Sequence, residues 1–493
     1  MTFPPSPNPL LFGAVLSRDV PTLRFYFLLA FGLALAFPAH AQGTPEISPA
    51  ESAHEGELTD DDPPAERGGY FGFGSYGRVV VATDAEGRTA SSSNIVSVGP
   101  RVDESTYAEL EFQRHDSFGA LSTRVVMTLG VLGPLFHFDG EFDASLAMRN
   151  LYAAVRGLGT DSLELWIGSR MVRGDDIYLL DVWPLDNLNL VGAGASYQLD
   201  GVGRASASLG WSRPRDPFQL QSIEVSARRG FGSDAVLLLD RPRLVAAARA
   251  EAAPWGYGTW GAKAVLYSEG HMLPEGERVD ESGMRESLPS DRGYTVGGQL
   301  GGWWPDGSAN VFVRYAHGLA AFDPLDTPFR DGAVTTTSLA REWMVGLSAH
   351  YDMGVVGLQA GALYRNFRDA DRSSLEGHRL AEGALVLRPR VHFTEHLGLA
   401  LDLSYQALQR SEIDVVTDSA VSGQVYKLGV IPFVSPRGRG SYDRPQLRIL
   451  YVLTHRDEGA RRLYPEGHHR ASQSIEHFIG VGAEWWFDTT SYQ

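Results

Sequence analysis

Three pairs of an aromatic and a charged residue two positions apart could together bind a solute. The pairs are Tyr76 with Arg78, Tyr107 with Glu109, and Trp486 with Glu484. In an extended strand, residues two positions apart point to the same side. An aromatic ring attracts C–H groups by dispersion, whereas a charged side chain exchanges strong hydrogen bonds with polar groups. A wall that carries both would hold a solute with an apolar face and a polar rim.

The last of these pairs lies in a segment that indicates the kind of element required. Within residues 475–487, one set of alternate residues is apolar, and the other contains glycine and glutamate. The first set is Ile479, Val481, Ala483, Trp485 and Phe487, and the second is Phe478, Gly480, Gly482, Glu484 and Trp486. This pattern is typical of a strand that borders hydrocarbon on one side and an aqueous lumen on the other.

Other segments alternate in the same way. Residues 123–131, 345–351 and 397–405 each have apolar residues at every second position. In residues 104–110, Tyr107 and Glu109 fall on the side opposite Leu110, as a lumenal pair should. Each segment therefore indicates a strand with one apolar face.

The connections between these segments are of two kinds. Tight ones are predicted at 351–354 and 393–396, and long charged ones at 268–294 and 367–379. Short turns that alternate with long loops are typical of an outer-membrane barrel. A soluble β-sandwich also has alternating strands, but it seldom ends so many of them in aromatic residues. At roughly 23 residues per strand and connection, residues 69–487 predict an all-β transmembrane antiparallel barrel of about 18 strands.

Composition excludes several classes of protein. The net charge of the 493 residues is −17, which does not suit a nucleic-acid binder. The chain has no cysteine, so disulfides, zinc-thiolate sites and thiol chemistry are excluded. We expect no cofactor and no nucleic-acid partner.

The N-terminal region predicts export. Arg24 precedes an apolar run at 25–37, and Ala41 closes a small-x-small cleavage motif. The alternative is a membrane anchor, but the run is shorter than the roughly 20 residues that a spanning helix needs. We expect a signal peptide at 1–41, a disordered acidic linker at 42–68, and a short tail at 488–493 after the barrel.

Several motifs in order resemble the maltoporin family of carbohydrate porins, over most of residues 69–487. Residues 73–78 and 104–110 resemble the first two strands of that family. Residues 166–170, followed by the acidic pair at 175–176 and by 180–183, resemble the segment that enters the constriction loop. The remaining matches are 442–448, an aromatic-x-Arg-Pro strand, and 484–487, the closing strand.

The resemblance implies an eighteen-stranded homotrimeric channel in the bacterial outer membrane, surrounded by lipid. Oligosaccharides, such as maltodextrins, slide along a ribbon of lumenal aromatics flanked by charged groups. The matching aromatic positions are Tyr76, Tyr107, Tyr442 and Trp486, with Phe312 as a further candidate. The matching polar positions are Arg78, Glu109, Arg149 and Asp181, with Arg101 and Arg173 matched across a gap and Trp183 where the family has a tyrosine.

Other interpretations of these residues remain open. Tyrosine and tryptophan also form interfacial girdles at headgroup level, which is the interpretation we favour for Trp485 and Phe487. The charged residues could form wall salt bridges of the kind that any water-filled pore needs. A general diffusion porin without sugar specificity is therefore the alternative function.

An enzyme or a soluble secreted β-protein would be a different class of protein. A barrel hydrolase needs a nucleophile and a base close together. His350, His392 and His477 fall in separate predicted strands, and His468 with His469 falls in a predicted loop. The sequence therefore predicts neither an enzyme nor a metal site.

Overall fold

The computed structural model describes most of the chain after residue 67. The described residues are 68–132, 145–211, 220–226, 233–239, 243–257, 259–279, 285–322, 337–368, 379–414 and 419–490. They belong to one compact unit, Ile47–Gln493. The predicted signal peptide, the predicted linker up to residue 67 and the last three residues of the predicted tail lie outside them.

Eighteen strands join into one antiparallel sheet. They are β1 (Tyr70–Thr83), β2 (Tyr107–Phe118), β3 (Leu121–Leu132), β4 (Ser145–Arg156), β5 (Leu163–Arg173), β6 (Asn187–Leu199), β7 (Gly203–Trp211), β10 (Leu244–Tyr257), β11 (Trp260–Leu273), β14 (Asp291–Trp304), β15 (Gly307–Gly318), β16 (Arg341–Met353), β17 (Val356–Arg368), β18 (Arg379–His392), β19 (Leu397–Asp414), β20 (Ser419–Val434), β21 (Gln446–Arg456) and β22 (Ile475–Phe487). Two separate hairpins complete the strands: β8 (Leu220–Ser226) with β9 (Ser233–Leu239), and β12 (Gly276–Val279) with β13 (Arg285–Leu288).

The first and last strands close the sheet into a barrel. Each strand of the sheet pairs with the next along the chain, and β1 pairs with both β2 and β22. In this register Tyr76 lies opposite Trp486 in β22, and Arg78 lies opposite Tyr107 in β2. A closed sheet has no edge strand, so every strand has a partner on each side. The predicted barrel of about 18 strands is confirmed.

The side chains alternate across the wall as the sequence predicts. In β22, Val481 is 57% exposed on the outer face, whereas Glu484 on the inner face is 2% exposed. In β2, Leu110 and Phe112 are exposed on the outside, and Glu109 is fully buried on the inside. The outer face is therefore apolar and the lumen is polar.

Connections follow the predicted short and long pattern, with one boundary to correct. Tight turns join β16 to β17 and β18 to β19, as predicted. The predicted long connection at 268–294 is too wide, because β11 continues to Leu273 and β14 begins at Asp291. Polar residues occupy these strand ends, so the apolar alternation stops before the backbone pairing does. Residues 369–378 of the other long connection lie outside the described residues.

Within the described residues, helical structure is confined to short pieces in the connections. Three of these pieces are 3-10 turns at Arg101–Asp103, Tyr178–Leu180 and Leu319–Ala321, and two are α-helices at Glu458–Arg462 and His469–Ser472. His468 caps the second α-helix and His469 begins it, so the predicted loop is partly helical. Across the described ranges, no helix has both the length and the apolar character that crossing a membrane requires.

Two connections at one end of the barrel fold into the lumen. The strands alternate in direction, so the connections after β1 and after β5 lie at the same end. In the first, Ile95 N–H donates to Gln406 of β19 at 3.0 Å, and Asp103 accepts from Lys427 of β20 at 2.7 Å. The connection after β1 therefore covers the inner face of the wall near β19 and β20.

Candidate functional site

The connection between β5 and β6, residues 174–186, packs against the inner wall through apolar side chains. Ile177 is fully buried and Leu179 is 2% exposed. A Cβ added at Gly346 of β16 would lie 2.8 Å from Ile177 Cδ1, and one at Gly361 of β17 would lie 3.0 Å from Ile177 Cγ2. Glycine at these two positions provides the space that the connection occupies. We call residues 174–186 the constriction connection.

Charged residues fasten the two ends of the constriction connection to the neighbouring wall. Lys263 of β11 donates to Asp175 at 2.9 Å, and Arg249 of β10 donates to Asp186 at 2.7 Å. Asp186 also accepts from the backbone N–H of Gly174 at 2.8 Å, which joins the two ends of the connection. These carboxylates lie within a protein-lined lumen, where ion pairs are less screened than on an open surface.

The middle of the constriction connection reaches the opposite wall through Tyr178. Its hydroxyl donates to Glu484 of β22 at 2.6 Å. Arg444 donates to the same carboxylate at 2.8 Å, and Arg101 does so at 3.1 Å. The connection therefore spans the lumen from β10 and β11 to β22.

A second segment reaches Tyr178 from the other end of the barrel. The connection between β20 and β21, residues 435–445, lies at the end of the short turns, because it follows a strand of the opposite direction. Ser441 Oγ donates to Asp352 at 2.7 Å, which holds this segment against the end of β16. The ring of Tyr442 then packs edge to face on Tyr178, with centroids 5.5 Å apart.

Five aromatic rings form a continuous row along the lumen. Tyr107 lies 6.1 Å from Tyr76, and Tyr76 lies 6.5 Å from Trp486 with the ring planes 20° apart. Trp486 lies 5.9 Å from Tyr178, which continues to Tyr442. Four of the five are the predicted aromatic positions. Tyr178 joins them, and we call the five together the aromatic row.

The predicted polar residues flank one end of this row. Arg101 donates to the hydroxyl of Tyr76 at 2.6 Å, and Arg78 does so at 2.9 Å. Arg78 also lies 3.5 Å from Asp181 of the constriction connection. Asp181 has a left-handed backbone, with φ 50° and ψ 47°, where the connection turns back towards β6.

Glu109 and Arg149 meet beside Tyr107, the first ring of the row. Arg149 Nε lies 3.0 Å from the buried carboxylate of Glu109. The hydroxyl of Tyr107 donates to Glu109 and accepts a hydrogen bond from Arg149. The sequence-predicted group of an aromatic ring with a charged neighbour is therefore present as a contact.

Three predicted residues lie outside this arrangement of contacts. Arg173 packs its guanidinium over the ring of Trp183 at 3.6 Å and donates to Asn187 at 2.9 Å. Phe312 is 1% exposed and belongs to the buried apolar cluster that includes Leu185. These residues pack against the base of the constriction connection.

Sequence reasoning missed Tyr178, Arg444 and Arg448 as site residues. Arg448 of β21 donates to Glu484 at 2.5 Å. The available signal was the placement of Tyr178 between the matched segments at 175–176 and 180–183, and of both arginines within the aromatic-x-Arg-Pro segment. Their convergence on Glu484 depends on contacts between distant parts of the chain.

Two carboxyl groups of the constriction connection have a strongly raised pKa, Asp176 and Asp186, and the shift is larger at Asp176. Burial raises the pKa of Asp176 to about 7, with Arg101 opposing the shift and Asp181 and Asp175 adding to it. This group lies between β5 and β6, outside the spanning strands. The charge on the constriction connection therefore changes near neutral pH.

The arrangement combines an apolar track of aromatic rings with hydrogen-bonding groups on its flanks. Such a track can hold a solute by dispersion, while arginine and carboxylate side chains exchange hydrogen bonds with its polar rim. Among the described residues, no group of three or more histidine, aspartate or glutamate side chains is placed to hold a metal ion.

A closed barrel of eighteen strands, apolar outside and with charged residues inside, is the architecture of a porin-type channel. A family model described as LamB porin matches residues 71–487. The chain therefore belongs to the LamB porin family, and the protein is an outer-membrane channel. The family match confirms the resemblance seen in the sequence.

Comparison with solved structures finds several chains that this chain resembles over most of its length. The trimer form of OmpT, an outer membrane protein of Vibrio cholerae, is 11% identical, with 85% of this chain and 99% of that chain covered and a TM-score of 0.40. OccD3 of Pseudomonas aeruginosa is 10% identical, with 85% and 91% covered and a TM-score of 0.40. The outer membrane channel DcaP of Acinetobacter baumannii is 8% identical, with 85% and 98% covered and a TM-score of 0.43. A search of curated proteins found no match.

Proposed function

We propose that this channel carries sugars by facilitated diffusion, without a cofactor and without energy coupling. The aromatic row supports the proposal. Its five rings lie in one contiguous series from Tyr107 to Tyr442, in which Tyr76 and Tyr178 are buried and Tyr107, Trp486 and Tyr442 are partly exposed. The partly exposed rings can contact the C–H face of a sugar, because dispersion is additive over many weak contacts.

The charged flank supports the same function. Arg78 and Asp181 are partly exposed, and Arg78 lies 5.5 Å from the ring centroid of Tyr107, where these side chains could bond the hydroxyls of a sugar seated on that ring. Glu109 is fully buried and holds Arg149 and the hydroxyl of Tyr107 in place. Binding at each ring must be weak, since a transported solute has to leave as readily as it enters. Maltose, maltodextrins or related oligosaccharides are the proposed solutes.

The same proposal covers how the protein is placed and assembled. A signal peptide at 1–41 would direct export, and the acidic linker at 42–68 would precede the barrel. The apolar outer face would contact outer-membrane lipid, and membership of the LamB porin family supports a homotrimer. The mass of the protein in detergent, measured by light scattering with the detergent contribution subtracted, tests the trimer.

A general diffusion porin is the second candidate function. The support for it is that every predicted charged residue on the flank has a partner within the wall, as Arg149 has in Glu109. Such pairs can polarise a water-filled lumen without binding a solute. In that case the aromatic row would line the pore without slowing any sugar.

The deciding experiment is ion conductance through the purified protein in a planar bilayer. The channel is titrated with maltooligosaccharides of increasing length and then with sucrose. Saturable block that strengthens with chain length supports a sugar-binding channel, because a longer sugar covers more rings of the row. Open channels that no sugar blocks would overturn sugar specificity and favour the diffusion porin.

A further inference from the structure

Two neighbouring cavities lie in the lumen beside the aromatic row, and arginines dominate their walls. The first is lined by Arg78, Arg101, Arg388 and Arg448, together with Glu104 and Glu484. The second is lined by Arg388, Arg390, Arg444 and Arg448, and no carboxylate of the described residues lines it. The two cavities share Arg388 and Arg448, so they form one hollow with six arginines in its walls. The net charge of the chain is −17, so this excess does not follow from composition.

Partners outside the lining neutralise some of these arginines. Arg388 pairs with the buried Asp402 at 2.8 Å, and Arg390 pairs with Asp352 at 2.6 Å. Both of these carboxylates lie outside the cavity lining. The charges of these two arginines are therefore neutralised by carboxylates outside the hollow.

In the first cavity, the charges of Arg78 and Arg101 are also neutralised. Arg78 lies 3.2 Å from Glu104 and 3.5 Å from Asp181. Arg101 lies 2.9 Å from Glu104. Two arginines thus face two carboxylates here, and no positive charge is left over.

Arg444 and Arg448 have a single carboxylate between them. Both donate to Glu484, at 2.8 and 2.5 Å, and Arg101 reaches the same carboxylate. The side chain of Arg444 is 2% exposed and that of Arg448 is 18% exposed. An uncompensated charge at this depth is costly unless a counter-charge approaches it.

The geometry leaves room for that counter-charge at Arg448. Its Nε donates to Gln446 at 2.7 Å and its Nη2 to Glu484. Within the part of the chain that the structure describes, its Nη1 has no protein acceptor. A planar guanidinium with a free N–H on a cavity wall suits an anionic oxygen.

The hollow also adjoins the apolar track. The guanidinium of Arg444 lies 4.3 Å from the ring centroid of Trp486. A sugar seated on Trp486 would therefore place a substituent beside the arginines. An acidic substituent would supply the missing counter-charge, and a neutral hydroxyl would not.

We propose that this hollow binds the acidic group of an anionic sugar, and that the channel prefers oligosaccharides of the uronic-acid class. This inference rests on the proposed sugar function and narrows its substrate class. A carboxylate on the sugar ring would accept from Arg448 Nη1 while the ring stacks on the aromatic row. Specificity for acidic sugars would then come from one positive charge beside an apolar track that itself accepts many sugars.

The test compares two trisaccharides with the same sugar backbone, the anionic trigalacturonate and its neutral methyl ester, which differ in charge and in the added methyl groups. Each is titrated as a blocker of single-channel current at an ionic strength of about 0.1 M, where charges within roughly 10 Å still interact. We expect trigalacturonate to block at a concentration at least about tenfold lower than the ester, since hydrogen bonds to charged groups are the strong ones. We expect Arg448→Gln to reduce that ratio towards one.

Arg170→Gln is the matched control. Arg170 also faces the lumen, from β5, where it lies 3.4 Å from Glu164 and outside the hollow. The ratio of the two blocking concentrations should be unchanged in this variant. The wild-type comparison needs no variant, so the proposal stays testable even if Arg448→Gln does not fold.

Each other outcome has a definite meaning. Equal block by trigalacturonate and its ester would overturn the anionic preference and leave the sugar channel standing. Absence of block by either would also overturn the anionic preference, and the maltooligosaccharide titration described above would then decide separately whether the sugar function stands. Sulfate is tested at the same concentration of negative charge as trigalacturonate. If sulfate blocks as strongly, the hollow is a site for free anions, and the assignment to a sugar acid is overturned.

Discussion

Tyr178 and Tyr442 pack edge to face, with their ring planes at 81°, although they belong to connections at opposite ends of the barrel. Tyr178 lies in the constriction connection after β5, and Tyr442 lies in the segment before β21. The two segments therefore meet inside the lumen and support each other. The narrow part of the channel depends on both ends of the barrel.

Removing the Tyr178 hydroxyl should loosen the constriction connection. In Tyr178→Phe, Glu484 loses a hydrogen bond of 2.6 Å and the ring contact with Tyr442 remains. A hydrogen bond to a charged group contributes about 1.5–3 kcal/mol, so we expect a lower thermal midpoint in detergent. Open-channel current should also fluctuate more, because the connection is held less firmly.

The control for this prediction is Tyr197→Phe. Tyr197 is 42% exposed and faces outward from β6. Its variant should match the wild type in both measurements. A Tyr178→Phe channel with unchanged midpoint and unchanged current noise would contradict the anchoring role of the hydroxyl.

Shortening the aromatic row should weaken sugar binding without closing the pore. Tyr107→Ala combined with Trp486→Ala removes two of its five rings. Aromatic contacts contribute about 0.5–1.5 kcal/mol each, so the blocking concentration of a maltooligosaccharide should rise about twofold to tenfold per ring. Ion conductance should persist, since the wall and its pairing stay in place.

An outward tryptophan provides the comparison. Trp343 of β16 is 50% exposed on the outer face, so Trp343→Ala removes a ring of similar size from outside the lumen. Sugar block should be unchanged in this variant. Equal block in the wild type and in the double variant would be inconsistent with sugar binding by the row.

The channel should become more cation-selective as the pH rises through neutrality. Burial raises the pKa of Asp176 to about 7, so the constriction connection gains a negative charge between about pH 6 and pH 8. The folded form holds this proton more firmly than the unfolded chain does. Its contribution to stability therefore falls as the pH rises from 3.8 towards about 7.

The reversal potential in a salt gradient measures this change in selectivity. In Asp176→Asn, the part of the pH-dependent change in reversal potential that is due to this carboxyl group should disappear. A second aspartate on the outside of the lumen offers the control, because Asp161 lies in the turn between β4 and β5. Asp161→Asn should retain the wild-type pH dependence. A step that persists in Asp176→Asn would assign the titration to another group.

Filling the space beside Ile177 should narrow the channel. In Gly361→Val the new side chain would enter a position where even a Cβ lies 3.0 Å from Ile177 and 3.2 Å from Leu179. The constriction connection would have to move away from β17 and into the lumen. We expect lower single-channel conductance.

Gly298→Val serves as its control. A Cβ at Gly298 on β14 meets its nearest atom at 3.4 Å, which is ordinary contact distance. This position shares the outward parity of Leu300, which is 70% exposed. Conductance should therefore match the wild type. If Gly361→Val conducts normally as well, the close packing of the connection against β17 does not set the pore width.

The barrel could be predicted from the sequence because the alternating pattern that specifies each strand lies within a short segment of the chain. The alternation around Val481 and Glu484 assigns each residue to one side of the wall, and a slip by one residue would reverse every assignment. The same parity placed Tyr107 and Glu109 together in the lumen before any contact was known. Periodicity of two thus predicted both the fold class and several flanking residues.

The centre of the site was not predictable in the same way. Tyr178 and Glu484 are 306 positions apart in the chain, and no periodic pattern relates them. Arg444 lies in a connection whose path into the lumen depends on packing at Asp352 and on the ring of Tyr442. Such convergence is a property of the folded chain, and the family resemblance supplied only part of it.

The pairing of β1 with β22 has a consequence for how the channel is built. Glu484, the carboxylate that Arg101, Arg444 and Tyr178 all reach, lies on the last strand of the barrel. Pairing of β22 with β1 closes the wall, and the same strand brings the carboxylate that these groups share. The closure of the barrel and the charge balance of the pore therefore depend on one strand, and a barrel in which that strand is unpaired has neither.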